Sequence, residues 1–126
     1  PESYVTQEPV LTLDRILGPA SQAKRASNLV DVEGAEYAML QGATQTLKND
    51  PRPIWMMEIG STTHQPSGVR VNPDLVATFD VFFERGYIAV TADEARVAVD
   101  LEKDSAVAKG NADFGTHNFV FQKAEL

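Results

Sequence analysis

The 126-residue sequence contains no cysteine. This excludes disulfides, thiolate nucleophiles and cysteine-ligated zinc or iron-sulfur sites, and it leaves the redox compartment open. Basic residues are also scarce. Eleven Lys and Arg stand against eighteen Asp and Glu, a formal net charge of -7, which argues against a nucleic-acid backbone or an anionic membrane surface as the partner. No apolar run approaches the roughly 20 residues that cross a bilayer, and the opening Pro1-Glu2-Ser3-Tyr4 has neither a basic nor an apolar leader region. A soluble protein, with the cytoplasm favoured, is the expectation. The start without methionine suggests a fragment or a processed chain. The eight glycines never fall in G-x-G spacing, and no nucleophile elbow, Walker loop or H-E-x-x-H is present, so a complete dinucleotide or nucleoside pocket is not encoded.

What is present suffices for one domain over residues 1–126, with 43% hydrophobic and 23% charged residues. Tyr4 to Leu11 favours an extended arm interrupted by Pro9, and Leu13, Ile16 and Leu17 share one face of a brief helix that should end before Gly18-Pro19. In Asn28-Leu29-Val30-Asp31-Val32-Glu33-Gly34 a β-branched apolar run meets two carboxylates and a glycine, which reads as a buried strand ending at a site-like turn. Glu36 to Asn49 carries Tyr37, Leu40, Ala43 and Leu47 at helical spacing, with Asn49-Asp50-Pro51 as the stop. Pro53 to Gly60 is apolar without alternation until Glu58, the pattern of a central strand covered on both faces.

Asn72 as N-cap and Pro73 open a helix whose stripe is Leu75, Val76, Phe79, Phe82 and Phe83, and Gly86 ends it. Tyr87 to Val90 reads as a strand. Thr91 to Gly115 has no clear period and reads as a loop with room for a short strand at Arg96 to Val99, and a last strand runs from about His117 through Phe121. The order of elements predicts an α/β fold, its sheet mostly parallel with an antiparallel C-terminal strand. In open sheets of this kind ligands bind beyond the carboxyl ends of the strands, where Asp31, Glu33 and Glu58 fall.

Asp31 and Glu33 are two residues apart, so on extended backbone they share a face, where two negative charges need a cation, a proton or a substrate donor to coexist. They are the candidate acid/base or metal-ligating pair. The structural alternative is that Glu33 caps the following helix and Asp31 anchors a loop. Glu58 follows four apolar residues, a poor place for a charge unless the strand emerges there at the ligand edge. His64, in the polar loop after that strand, is a candidate base or substrate contact. His117 is a weaker one, and Trp55, Met56, Met57 and Tyr37 read as core.

Several of these segments together resemble the C-terminal half of an FkbM-type S-adenosylmethionine-dependent methyltransferase. The resemblance rests on Asp31-Val32-Glu33-Gly34-Ala35-Glu36 followed by Leu40-x-Gly42-Ala43, then Arg52-Pro53-Ile54 leading to Glu58-Ile59, then Gly86-Tyr87, and Asn118-Phe119-Val120-Phe121, with Thr12-Leu13-Asp14 upstream. It implies a partial Rossmann-like methyltransferase sheet in which Leu29 to Val32 is the fourth strand and Ile54 to Ile59 the fifth. The first three strands, which in the family hold the glycine-rich cofactor loop, have no counterpart here. Where the family carries lysine two residues before the aspartate of D-V-E-G, this chain has Leu29. The implied reaction is O-methyl transfer to a small-molecule acceptor, with Asp31 and Glu33 as catalytic residues and Glu58 and His64 as substrate contacts. S-adenosylmethionine is the implied cofactor, but this chain alone is expected neither to bind it nor to be active.

Two alternatives stand beside this. One is a non-catalytic partner-binding or structural module. The other is a metal-dependent phosphatase, since D-V-E-G superficially resembles a D-x-D-G start, although Glu33 replaces its second aspartate. The strand at Leu29 to Val32 is not expected to remain an open edge: either the arm at Tyr4 to Leu11 folds back on it, or a second copy pairs across it as a homodimer.

Overall fold

Alternation of side chains along the strands sorts this protein into two unlike surfaces. The computed structural model describes residues 11–22, 27–32, 34–63 and 65–124, with backbone alone at 18–22. Most of the arm at Tyr4 to Leu11 therefore lies outside the described residues.

The elements in chain order are α1 (Leu13–Gln22), β1 (Ser27–Val30), α2 (Glu36–Gln41), α3 (Thr44–Lys48), β2 (Ile54–Glu58), α4 (Leu75–Phe83), β3 (Tyr87–Thr91), β4 (Ala98–Val99), α5 (Leu101–Ala108) and β5 (Asn118–Lys123). They form a five-stranded mixed sheet in the order β1-β2-β5-β3-β4. Only β1 and β2 are parallel neighbours; β2 with β5, β5 with β3 and β3 with β4 are antiparallel. The expectation of a mostly parallel sheet is thus corrected. The antiparallel last strand is present, but it inserts between β2 and β3 instead of extending the sheet from outside, so these two strands, which point the same way, do not pair. The fold is an α/β open sheet, mostly antiparallel in its pairings.

One face of the sheet is covered. Trp55 and Met57 of β2, Phe119 and Phe121 of β5, Tyr87 and Ala89 of β3 and Val99 of β4 point into a single buried cluster with Leu40, Ala43, Leu47, Leu75, Phe79 and Phe82 from the helices. The rings interlock: Phe82 stacks on Phe121 at 3.8 Å between centroids, Phe79 meets Phe119 edge to face at 5.1 Å, and Trp55 meets Phe82 at 5.7 Å. Each buried ring of this kind contributes about 1.5–3 kcal/mol by removal from water, with smaller additions from ring geometry.

The opposite face is open. Leu29 is 78% exposed, Met56 45%, Ile54 44% and Ile88 42%. None of the described helices covers it. This corrects the reading of Leu29 to Val32 and of Pro53 to Gly60 as strands buried on both sides: both are apolar on both sides, and only one side has a partner. β1 ends the strand order, with no strand beyond it among the described residues.

Three local departures stand out. The helix expected to stop before Gly18-Pro19 continues to Gln22, at the cost of the hydrogen bond that Pro19 cannot donate. The single helix expected from Glu36 to Asn49 breaks into α2 and α3 at Gly42, where a Cβ would lie 2.9 Å from Cβ of Thr12. The loop expected over Thr91 to Gly115 holds the short strand expected within Arg96 to Val99, as β4, and also α5, which is N-capped by Asp100, whose carboxylate accepts from the Lys103 N–H at 2.8 Å.

Candidate functional site

β1, β2 and β3 all finish at one edge of the sheet, because β5 runs antiparallel between the second and third. Val30 is the register partner of Met57, so Asp31 and Glu58, the next residue on each chain, come to neighbouring strand ends. Asp31 is exposed and Glu58 half-buried. Glu58 pairs with Asn118 and lies two residues after Met56, which puts its side chain on the open face. Glu33 and His64 lie outside the described residues. Among the described residues no group of three or more His, Asp or Glu side chains is arranged to hold a metal ion.

Much of the sequence pattern around this edge holds the fold together. Asp14 reaches across from α1 and acts as the N-cap that α3 lacks locally: its carboxylate accepts from the N–H of Gln45 at 2.8 Å, the N–H of Thr46 at 2.8 Å and the Thr46 hydroxyl at 2.7 Å. Burial alone would raise its pKa, and these donors overcome that and hold it below the usual carboxylate range. The Asp14 N–H donates in turn to the Gly42 carbonyl at 3.0 Å. Thr12, Asp14 and Gly42 are therefore one joint between α1 and the α2–α3 break.

The turn after β1 is closed by Glu36, which is 2% exposed and accepts from the Gly34 N–H at 3.1 Å, with Gly34 at φ +94°. Only glycine takes that backbone angle without strain. Arg52 donates to the carbonyls of Lys48 and Asn49, satisfying the end of α3. Trp55 Nε1 donates to the Tyr87 hydroxyl at 3.2 Å, which donates to the Leu47 carbonyl at 3.2 Å. Burial raises the Tyr87 pKa, against the hydrogen bond from Trp55 and the charges of Arg52 and Arg85. Sequence reasoning missed the structural task of Glu36, although its place at the first turn of a helix two residues past a glycine was a signal.

Beyond the carboxyl end of β2 lies a cavity of about 540 Å³ whose walls include Ser61, Thr62, Val107, Asp113, Thr116 and His117. Sequence reasoning gave His117 little weight because no acid stands beside it in the chain. The fold sets it in this wall with Asp113, which no spacing rule connects to β2.

A further carboxylate is unusual. Asp104 of α5 is fully buried, and its Oδ2 meets no hydrogen-bond donor, while Oδ1 accepts from the Ser105 hydroxyl at 3.3 Å. Desolvation pushes its pKa up to about 6, with the charges of Asp80 and Asp100 adding to that and the Ser105 hydrogen bonds opposing it.

Comparison of the chain with family models, with curated proteins and with solved structures finds no match in any of the three.

Proposed function

We propose that this chain is the C-terminal part of a larger S-adenosylmethionine-dependent methyltransferase domain, with O-methyl transfer to a small molecule as its reaction. The observation that carries this reading is the open apolar face: Leu29, Ile54, Met56 and Ile88 stand in solvent on strands whose other side is a finished core. A face that apolar is the surface of an element awaiting a layer, and the edge of β1, which no strand flanks among the described residues, awaits one. Both needs are met if preceding strands of a partial Rossmann-like sheet lie beside β1 and their helices cover the open side.

The motifs of the FkbM resemblance support the same reading. Thr12-Leu13-Asp14, Gly42-Ala43, Arg52 and Gly86-Tyr87 fall at joints of the fold, which leaves Asp31 and Glu58, among the described residues of these motifs, as the acids whose tasks the fold does not account for. In this reading Asp31 and Glu33 accept the proton of the acceptor hydroxyl and hold it in line, while Glu58 and His64 contact the substrate.

The residues present do not make a grip for S-adenosylmethionine. Without G-x-G spacing there is no close backbone approach to the cofactor, and the strand ends here offer carboxylates on an open surface. The 126 residues alone are accordingly inactive. The same open face also favours a second reading, a non-catalytic module that docks a partner or a second copy through β1.

The deciding experiment extends the chain upstream in its reading frame. On the methyltransferase reading, the extended protein binds S-adenosylmethionine in calorimetric titration, and the amides of Leu29 and Val30 become protected from exchange. An extended chain that binds none and still exposes Ile54 and Met56 overturns it in favour of the docking module.

A further inference from the structure

The cavity beyond β2 is built from residues that no part of the proposed chemistry uses: neither Asp31 nor Glu58 is in its walls. Its volume of about 540 Å³ falls within the range of about 300–1,000 Å³ typical of small-ligand sites. The walls are tied down by backbone hydrogen bonds. The Ile59 N–H donates to the His117 carbonyl at 2.7 Å, the Asn72 N–H to the Ser61 carbonyl at 2.7 Å, and the Asn111 N–H to the Ala106 carbonyl at 2.9 Å. The loop entering β5 turns at Gly110 and Gly115, both with φ near +78°.

We propose that this cavity is a binding site for a neutral polyhydroxylated small molecule of mono- to disaccharide size. The composition of the walls selects the class. Among the described residues no Lys or Arg lines the cavity, so a phosphate or carboxylate ligand would meet the Asp113 carboxylate with no counter-charge from them. Among the described residues no Phe, Tyr or Trp lines it either, so a flat heteroaromatic has no ring to stack on there.

What remains is a set of short hydroxyls at Ser61, Thr62 and Thr116, each able to donate and accept, together with the Asp113 carboxylate and the His117 imidazole. Asp113 is oriented by the Gly115 N–H, which donates to its Oδ1 at 2.6 Å, and its other oxygen can accept from a ligand hydroxyl. Val107 supplies an apolar patch among these groups. A saturated ring with C–H faces and a hydroxyl edge matches this mixture. That the ligand is the methyl acceptor rests on the methyl-transfer reading; the ligand class rests on the walls alone.

The test is a titration of the full 126-residue chain, followed by amide nitrogen–proton spectra, with glucose, rhamnose and myo-inositol as probes and inorganic phosphate and adenosine as comparators. The expected result is saturable, millimolar binding of at least one polyol, with shifts clustered at Ser61, Thr62, Asp113, Thr116 and His117. Asp113→Asn should weaken it about five- to tenfold, and Thr62→Val, which leaves the Asp113–Gly115 turn intact, should weaken it in the same direction. The proposal is overturned if no polyol shifts this cluster, or if phosphate or adenosine shifts it more strongly than every polyol. Methyl transfer by the extended protein to an acceptor that leaves these amides unmoved removes the pocket as the acceptor site and keeps the transfer reading. Polyol binding without transfer does the reverse.

Discussion

The two faces of the sheet carry nearly the same kind of side chain and live in opposite environments. On one, Trp55, Met57, Phe119 and Phe121 are shut away under α2 to α5; on the other, Leu29, Ile54, Met56 and Ile88 stand in solvent. The difference lies in what the chain can bring to each face. Helices connecting successive strands pack back on one side, and the described chain holds no second set for the other. Apolar character alone therefore does not make a core; it makes a demand for one, and here half the demand is unmet.

The sharpest way to break this comparison is to truncate one large apolar side chain on each side. Phe121→Ala removes the ring stacked on Phe82 and should cost about 3–5 kcal/mol, read by urea denaturation. Met56→Ala on the open face should cost under about 1 kcal/mol. Equal losses would mean that the open face is covered in solution.

The joint between α1 and α3 gives the next largest effect. Asp14→Ala should cost about 2 kcal/mol, since it leaves two backbone donors at the start of α3 without their acceptor. Because the folded Asp14 carboxyl sits below its unfolded value, its contribution is present above the unfolded pKa and is lost as pH falls through the folded one. A wild-type acid limb that persists unchanged in Asp14→Asn would show that the carboxylate does not carry it.

The covered side also holds its own unmet group. Asp104, with a folded pKa of about 6, is shifted in the opposite direction. Its stability contribution is full below its unfolded pKa and is lost as pH rises through about 6. Asp104→Asn should therefore flatten that decline and raise stability at pH 7 by about 1–2 kcal/mol, measured as the difference between denaturation midpoints at pH 4 and pH 7.

The smallest effect on folding belongs to Ile54→Thr with Met56→Gln, expected to change stability by under about 0.5 kcal/mol. Its readout lies elsewhere. Light scattering over a dilution series and binding of an apolar dye should both fall relative to wild type if the open face drives association, and an unchanged signal would remove that face as a docking surface.

Particular elements show how far the sequence could be read. The stripe Leu75, Phe79, Phe82 announced α4 because a 3.6-residue period survives in any context that covers one side. The run Ile54 to Glu58 announced β2, yet periodicity could not tell one covered side from two. Helix α5 was hidden, since among Leu101 to Ala108 only Asp104 and Val107 are buried, one of them a carboxylate, so no apolar stripe repeats. Its start signal, Asp100 three residues before Lys103, is a cap that any acidic loop also offers. At the candidate edge, Asp31 and Glu58 were legible as acids ending apolar runs. Ser61, Asp113, Thr116 and His117 were not legible as one cavity, being up to 56 positions apart in the chain.

By itself the sequence determined most of the segments that become helices and strands, where the carboxylates fall along them, and that cysteine chemistry is absent, because these are properties of neighbours within a few residues. Tertiary structure alone decided that β5 inserts between β2 and β3, that Thr12 packs against the helix break at Gly42, that Asp14 caps a helix thirty residues away, and that one apolar face is buried while its twin is bare. Those outcomes are chosen by which distant surfaces fit and which backbone groups find partners, and no local pattern carries that information.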